Sequence, residues 1–279
     1  MAVDLHTHST ASDGSDPPAQ VIAHAVAVGL SAVALTDHDT LDGIPEASAA
    51  AGRLGIELVP GVELSLQWEG AGGMHLLVLF LPPGSGPLRD RLGKLQAGRD
   101  HRNQAMVERL NHLGMAIEYA EVLTESGGGS VGRPHIAAVL ARHGYVEDIS
   151  TAFDLWLAHD KPAYVGRPRL EPEEAIALAR EEGAVPILAH PHTLGLNTAE
   201  EMTAMLSRLT GAGLIGLECH YPIYSPTERQ GYADLARRFG LIPSGGSDYH
   251  GTYKVGIDLG VGKGDLIVPD AVLTELRPR

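Results

Sequence analysis

The sequence has one cysteine, no long apolar run and no excess of positive charge, and each shortage excludes a class of function. Cys219 alone can form neither an internal disulfide nor a cysteine-based zinc site, which fits a reducing compartment. Any metal held by this chain is therefore bound through nitrogen and oxygen. No stretch is apolar for long enough to span a bilayer, and the N-terminus shows no basic segment followed by an apolar one. The expected protein is cytoplasmic, with no membrane partner. Lys and Arg number 21 against 35 Asp and Glu, a net charge of −14. That balance argues against binding extended duplex nucleic acid, but it leaves room for one nucleotide or a short strand at a locally positive site.

Short runs rich in Val, Ile and Leu fall at 32–37, 57–64, 74–81, 185–190 and 214–220, as buried parallel strands do. Between them, helical patterns cover 17–29, 44–54, 88–113, 172–182, 199–211 and 227–239, several ending at a glycine such as Gly55 or Gly183. This βα alternation predicts parallel strands wrapped by helices, in a number that suits a barrel. Residues 114–168 break the rhythm with a glycine-rich loop (SGGGSVG, 126–132) and two short helical patterns. They are expected to form a small helical insertion over a main domain made of 1–113 and 169–279.

Polar residues recur where these strands end. His6 and His8 close the first, His38 follows the second in TDHDT, and Glu63 closes the third. His75 opens the fourth, His190 closes the fifth in LAHPH, and Glu218 and His220 close the sixth. Asp248 and His250, again two apart, follow the last strand-like piece. The carboxyl ends of parallel strands gather at one face, so residues scattered along the chain converge there. A lone histidine is ordinarily a satisfied core or surface group. His-x-His, Asp-His-Asp, His-Pro-His and Asp-x-His all at strand ends point instead to a metal site.

The segments DLHTHSTASDG, LTDHDT, PGVELS, HLLVLF, LAHPH and GSDYHG, taken in order, resemble the motifs of the PHP (polymerase and histidinol phosphatase) family of phosphoesterases. The resemblance implies an α/β fold, a distorted seven-stranded (β/α) barrel with a small helical insertion. GRPHIA and KPAYV further resemble the branch containing nucleoside monophosphate and 3′,5′-bisphosphate phosphatases and short-RNA 5′→3′ exonucleases. Carried over by position, it implies three ions: one on His6, His8, Glu63 and Asp248, a second on Glu63, His75 and His190, a third on Asp13, His38 and His250. Six imidazoles and three carboxylates suit Mn, Fe or Zn better than Mg or Ca, and the family favours Mn.

Three divalent ions against three carboxylates leave an excess of about +3, so the site should attract anions, and attack of metal-activated hydroxide on phosphorus is the natural reaction. Arg133 and His135 are expected to grip the substrate phosphate. His220 is expected to contact that phosphate or protonate the leaving oxygen, with His192 the alternative. Asp37 and Asp39 are expected to orient histidines, or in the case of Asp39 to cap the next helix. The SGGGSVG loop is a hinge or a phosphate cradle, and Cys219 a core residue. The expected partner is a nucleotide or the end of a short single-stranded RNA; histidinol phosphate and a non-catalytic metal scaffold are the alternatives.

Overall fold

The computed structural model describes residues 2–70, 72–84 and 86–278. In chain order the elements are β1 (Val3–Asp4), α1 (Pro18–Ala27), β2 (Ala32–Leu35), α2 (Ile44–Leu54), β3 (Glu57–Leu66), β4 (Met74–Leu79), α3 (Pro87–His112), α4 (Tyr119–Glu125), α5 (Arg133–Arg142) and α6 (Ile149–Ala152). There follow a π-helical turn (Phe153–Leu157), α7 (Pro172–Glu181), β5 (Val185–Leu188), a 3₁₀ turn (Pro191–Leu194), α8 (Ala199–Gly211), β6 (Gly216–His220), α9 (Pro226–Arg238), β7 (Ile242–Gly245), a second 3₁₀ turn (Gly251–Tyr253) and α10 (Asp270–Leu276). The helices lie where the periodicity predicts them. Local chemistry supports their starts: Thr198 with Glu201, and Ser225 with Glu228, form capping boxes at α8 and α9.

The seven strands lie side by side in sequence order. The sheet curls into a barrel that closes where the chain beyond β1 meets the chain beyond β7. There the Asp248 N–H donates to His6 O at 2.8 Å and the His8 N–H to Tyr249 O at 2.9 Å. One expectation needs correction. β4 runs antiparallel to both β3 and β5, because the short connection after β3 turns back as a hairpin instead of crossing over through a helix. The reversal matters for function. The start of an antiparallel strand lies beside the carboxyl ends of its neighbours, so His75, opposite Ser65, reaches the same mouth as Glu63.

Both faces of the strands are buried, which is why they read as continuous apolar runs. Val62, Leu64, Leu76, Val78 and Leu188 pack outward with Ile176 of α7 and Leu206 of α8. The alternate residues Val59, Leu77, Leu79 and Ile187 join Leu273 and Leu276 of α10 in an inner cluster. Glu63 and His75 share strand parity with this inner set and stand above it. α4, α5, α6 and the π-helical turn pack on the C-terminal half of α3, around Met106, Leu110, Val122, Ile136, Leu140 and Leu157. Among the described residues no helix is long and apolar enough to cross a membrane.

Candidate metal centre

Nine side chains meet at the barrel mouth, and Glu63 is at their middle. Its Oε1 lies 2.8 Å from His75 Nδ1 and 2.9 Å from His190 Nε2. Its Oε2 lies 3.1 Å from His8 Nε2, 3.2 Å from His38 Nδ1 and 3.3 Å from His6 Nε2. Asp248 Oδ1 is 3.5 Å from the Nε2 atoms of both His6 and His8, and 3.3 Å from His250 Nδ1. Asp13 closes the far side, 3.4 Å from His250 Nε2 and 3.8 Å from His38 Nε2. His190 and Asp248 hold backbone φ of +23° and +52°, a cost that persists only where surrounding structure enforces it.

These donors fit metal ions. They fall into four groups of close ligand atoms: His8, Asp13, His38, His250; His6, His8, Asp248; His6, Glu63, His190; and His38, Glu63, His75. His6 Nε2 and His8 Nε2 are 3.1 Å apart, near the roughly 3.0–3.4 Å expected of neighbouring ligands about 2.1 Å from one ion. The Nδ1 atoms of His8 and His38 are buried without a hydrogen-bond partner among the described residues, a state that coordination relieves. The electrostatics agree. Burial opposes charge on Glu63, yet the imidazoles of His38, His6 and His75 hold its carboxyl well below the usual range. Burial, with His250 and His38 nearby, pushes His8 down to about 3, and burial takes His75 to about 4. Both are neutral donors at pH 7.

Several other sequence-predicted roles are corrected. Asp37 does not touch a histidine: its Oδ1 accepts the Ser9 N–H and the Ser12 hydroxyl, and its Oδ2 the Ser9 hydroxyl, each at 2.7 Å. It pins the turn that carries Asp13, which accounts for the hydroxyl residues there. Asp39 neither orients a histidine nor caps α2; it accepts from Arg99 and Arg167 at 2.5 and 2.6 Å. His220 is not among the residues lining the mouth cavity, and the charged groups acting on it are Arg229 and Arg237 of α9. A bulge between Glu218 and His220 breaks the parity that would have turned both inward. His135 is buried, and its Nδ1 accepts the Gly132 N–H at 3.0 Å, so it caps α5. The SGGGSVG loop has a structural contact of its own. It docks on the Asp13 turn, with the Ser130 N–H donating to Ala11 O at 2.8 Å. Cys219 is a core residue, its thiol pushed up by burial.

The structure adds residues that the sequence reading left without a role. Glu218 is fully buried, with Oε1 2.9 Å from His6 Nδ1 and Oε2 accepting the His190 N–H at 2.6 Å. Lys254 bonds Asp248 Oδ2 and donates to the Tyr221 hydroxyl at 3.0 Å. His192, which the sequence offers as the alternative proton donor, stands exposed at the rim, its Nδ1 2.8 Å from the Tyr224 hydroxyl and its ring 6.1 Å from that of His190. Six of the donors, His38, Glu63, His75, His190, Asp248 and His250, form one wall of a cavity of about 820 Å³. Pro134, Ala138, Ile149 and Phe153 of the helical segment, with Tyr253 and Val255, supply the larger apolar part of its lining, and polar residues such as Asp148, Ser150 and Lys254 join them.

An α/β barrel whose mouth gathers imidazoles and carboxylates above an apolar core belongs to the class of metal-dependent hydrolases. The chain is a member of the PHP family, whose PHP domain matches residues 4–182. It is 32% identical over 268 residues to a 3′,5′-nucleoside bisphosphate phosphatase of Chromobacterium violaceum, covering 92% of this chain and 90% of that protein. It is 34% identical over 249 residues to a 5′-3′ exoribonuclease of Haemophilus influenzae, covering 88% and 89% of the two. A solved structure from Chromobacterium violaceum, there called an amidohydrolase and holding sulfate but no metal, matches with a TM-score of 0.87 at 30% identity, over 100% of this chain and 99% of that one. The protein is a phosphoesterase of this metal-dependent kind.

Proposed function

We propose that the chain hydrolyses phosphate monoesters of nucleotides, AMP and nucleoside 3′,5′-bisphosphates foremost, and acts 5′→3′ on short 5′-phosphorylated RNA. The observation that carries this reading is the composition of the large cavity: metal-donor side chains on one wall, and on the other an apolar lining from Ala138, Ile149 and Phe153. A phosphate on the first wall leaves its nucleoside against the second, where an aromatic ring gives a base a stacking surface. The helical segment thereby caps the site. The names of the two curated relatives agree with this substrate class. Histidinol phosphate would need an acid for its ammonium group. Asp148 lines the cavity, but its carboxylate already accepts the Thr151 N–H at 2.7 Å as the cap of α6.

His6, His8, Glu63 and Asp248 would hold one ion, Glu63, His75 and His190 a second, and Asp13, His38 and His250 a third, with manganese the expected metal. When bound, such ions supply Lewis acidity, easing deprotonation of water and offsetting charge on phosphoryl oxygens. The chain supplies the rest. Glu218 fixes the ring of His6 and the backbone of His190, holding two donors in register. Asp248 is kept ionised, against burial, by Lys254, His6 and His250. Arg133 grips phosphate. His192 or Lys254, both beside the mouth, delivers a proton to the leaving oxygen.

The test is phosphate release from AMP, adenosine 3′,5′-bisphosphate, histidinol phosphate and a short 5′-phosphorylated RNA by manganese-loaded protein. Turnover concentrated on nucleotides and RNA is expected. Preference for histidinol phosphate would overturn the substrate reading and keep the metal site.

A further inference from the structure

The 3₁₀ turn after β5 follows directly on His190 and carries a hydroxyl group that none of the roles above uses. Thr193 is half-buried. Its Oγ1 lies 3.1 Å from His190 Nδ1, 3.0 Å from Gly73 O and 3.1 Å from His190 O. A hydroxyl has one proton to give and two lone pairs. Two carbonyl oxygens stand ready to take the proton, so a lone pair is what faces Nδ1. That arrangement calls for a proton on His190 Nδ1 and a free lone pair on Nε2, the nitrogen 2.9 Å from Glu63 Oε1. The tautomer thus turns two acceptor atoms toward each other, an arrangement that an ion between them completes.

Thr193 is itself anchored on the β3–β4 hairpin. The Gly73 N–H donates to Thr193 O at 2.8 Å and the Thr193 N–H to His190 O at 3.0 Å, while Trp68 Nε1 donates to Leu194 O at 2.9 Å. A Cβ added at Gly72 would lie 1.7 Å from Thr193 O, so the hairpin backbone sits directly on the turn. Gly73 leads into β4 two residues ahead of His75, and the Ala189 N–H donates to His75 O at 3.1 Å. One threonine therefore links the backbone that places His75 to the ring of His190. The two rings meet nearly edge to face, 5.1 Å between centroids, and both reach Glu63 Oε1.

The other donors are held differently. His6 is backed through Nδ1 by Glu218, and His250 Nδ1 lies 2.9 Å from Asp248 O. Glu218 also accepts the His190 N–H, so it serves donors of two ions. Thr193 touches one. We propose that Thr193 is a positioning residue for the ion on Glu63, His75 and His190: it fixes the Nδ1–H tautomer of His190 and the spacing of that ring from His75, and the other two ion positions do not depend on it. The inference rests on the reading above in which these three residues hold one ion.

The test removes the hydroxyl and keeps the shape. Metal-stripped wild type, Thr193→Val and Thr193→Ser are titrated with manganese by calorimetry. Thr193→Val should lose roughly 10- to 100-fold in affinity for one ion and nothing for the rest, and Thr193→Ser, which keeps the hydroxyl, should restore it. A second readout uses zinc-loaded protein labelled with nitrogen-15 at histidine. The His190 Nδ1–H proton should exchange slowly with water in wild type and Thr193→Ser, and fast in Thr193→Val. Thr193→Ala gives both readouts if the valine variant does not fold. Manganese affinities and proton exchange equal to wild type in the valine or alanine variant would overturn the proposal and leave the metal centre standing, and so would equal weakening of every ion. A wild type that binds no manganese would overturn the metal reading and this proposal with it.

Discussion

Glu218 Oε1 lies 2.9 Å from His6 Nδ1, and both side chains are fully buried. One carboxylate thus fixes the orientation of a metal donor and, through its other oxygen, the backbone of His190.

Replacing Glu218 by Gln keeps the shape but weakens the hold on His6. Loss of such a partner typically costs 10–100-fold in metal affinity or activity. The variant should therefore bind metal more weakly by about that factor, with circular dichroism unchanged. Metal titration checks this, and affinity equal to wild type would remove Glu218 from the site.

Gly129 approaches Thr10 so closely that an added Cβ would lie 1.6 Å from the Thr10 carbonyl oxygen. Gly129→Ala should push the glycine-rich loop off the turn that carries Asp13, at a cost of about 1–3 kcal/mol. A lowered denaturation midpoint together with reduced turnover is expected. Unchanged midpoint and turnover would mean that this contact does not position Asp13.

Arg102 offers the opposite sign. Its guanidinium is held well below its usual range by burial and by Arg99, Arg133, Arg167 and Arg169. The buried Arg102 has no hydrogen-bond or ion-pair partner among the described residues, and removing an unpaired buried charge favours folding. Arg102→Met should raise the Tm by on the order of 2–4 °C, and calorimetry that showed a fall of that size would contradict this reading of Arg102.

Much of this was legible in the sequence, for identifiable reasons. Buried parallel strands leave continuous apolar runs, and their carboxyl ends share one face, so His6, His8, Glu63, His190 and Asp248 could be brought together from their positions alone. The direction of β4 could not, because an apolar run reads the same either way; only the short connection before it carried the signal. His220 was misjudged because a bulge between it and Glu218 changes which side chain turns inward, and no local pattern announces a bulge. Asp37 was misjudged because it flanks a metal donor and was read as orienting histidines, whereas Ser9 and Ser12 reach it from another strand end. The small cavity beside the donors that Arg99, Arg102, Arg133, Arg167 and Arg169 line went unread although two signals were present. Arg99 and Arg102 have the spacing of one helix face, and Arg167 and Arg169 that of one side of an extended chain. What joins the two pairs is the tertiary fold around Asp39.

The central claim is that the gathered imidazoles and carboxylates work as a metal centre. The most direct test measures bound metal and phosphate release in parallel, on wild type as purified, after chelation and after reloading with manganese, and on His8→Ala. The account predicts two or three ions per chain, turnover that vanishes on chelation and returns with manganese, and a folded His8→Ala protein with less metal and background hydrolysis. Full turnover in metal-free wild type, or normal metal content and turnover in His8→Ala, would contradict it.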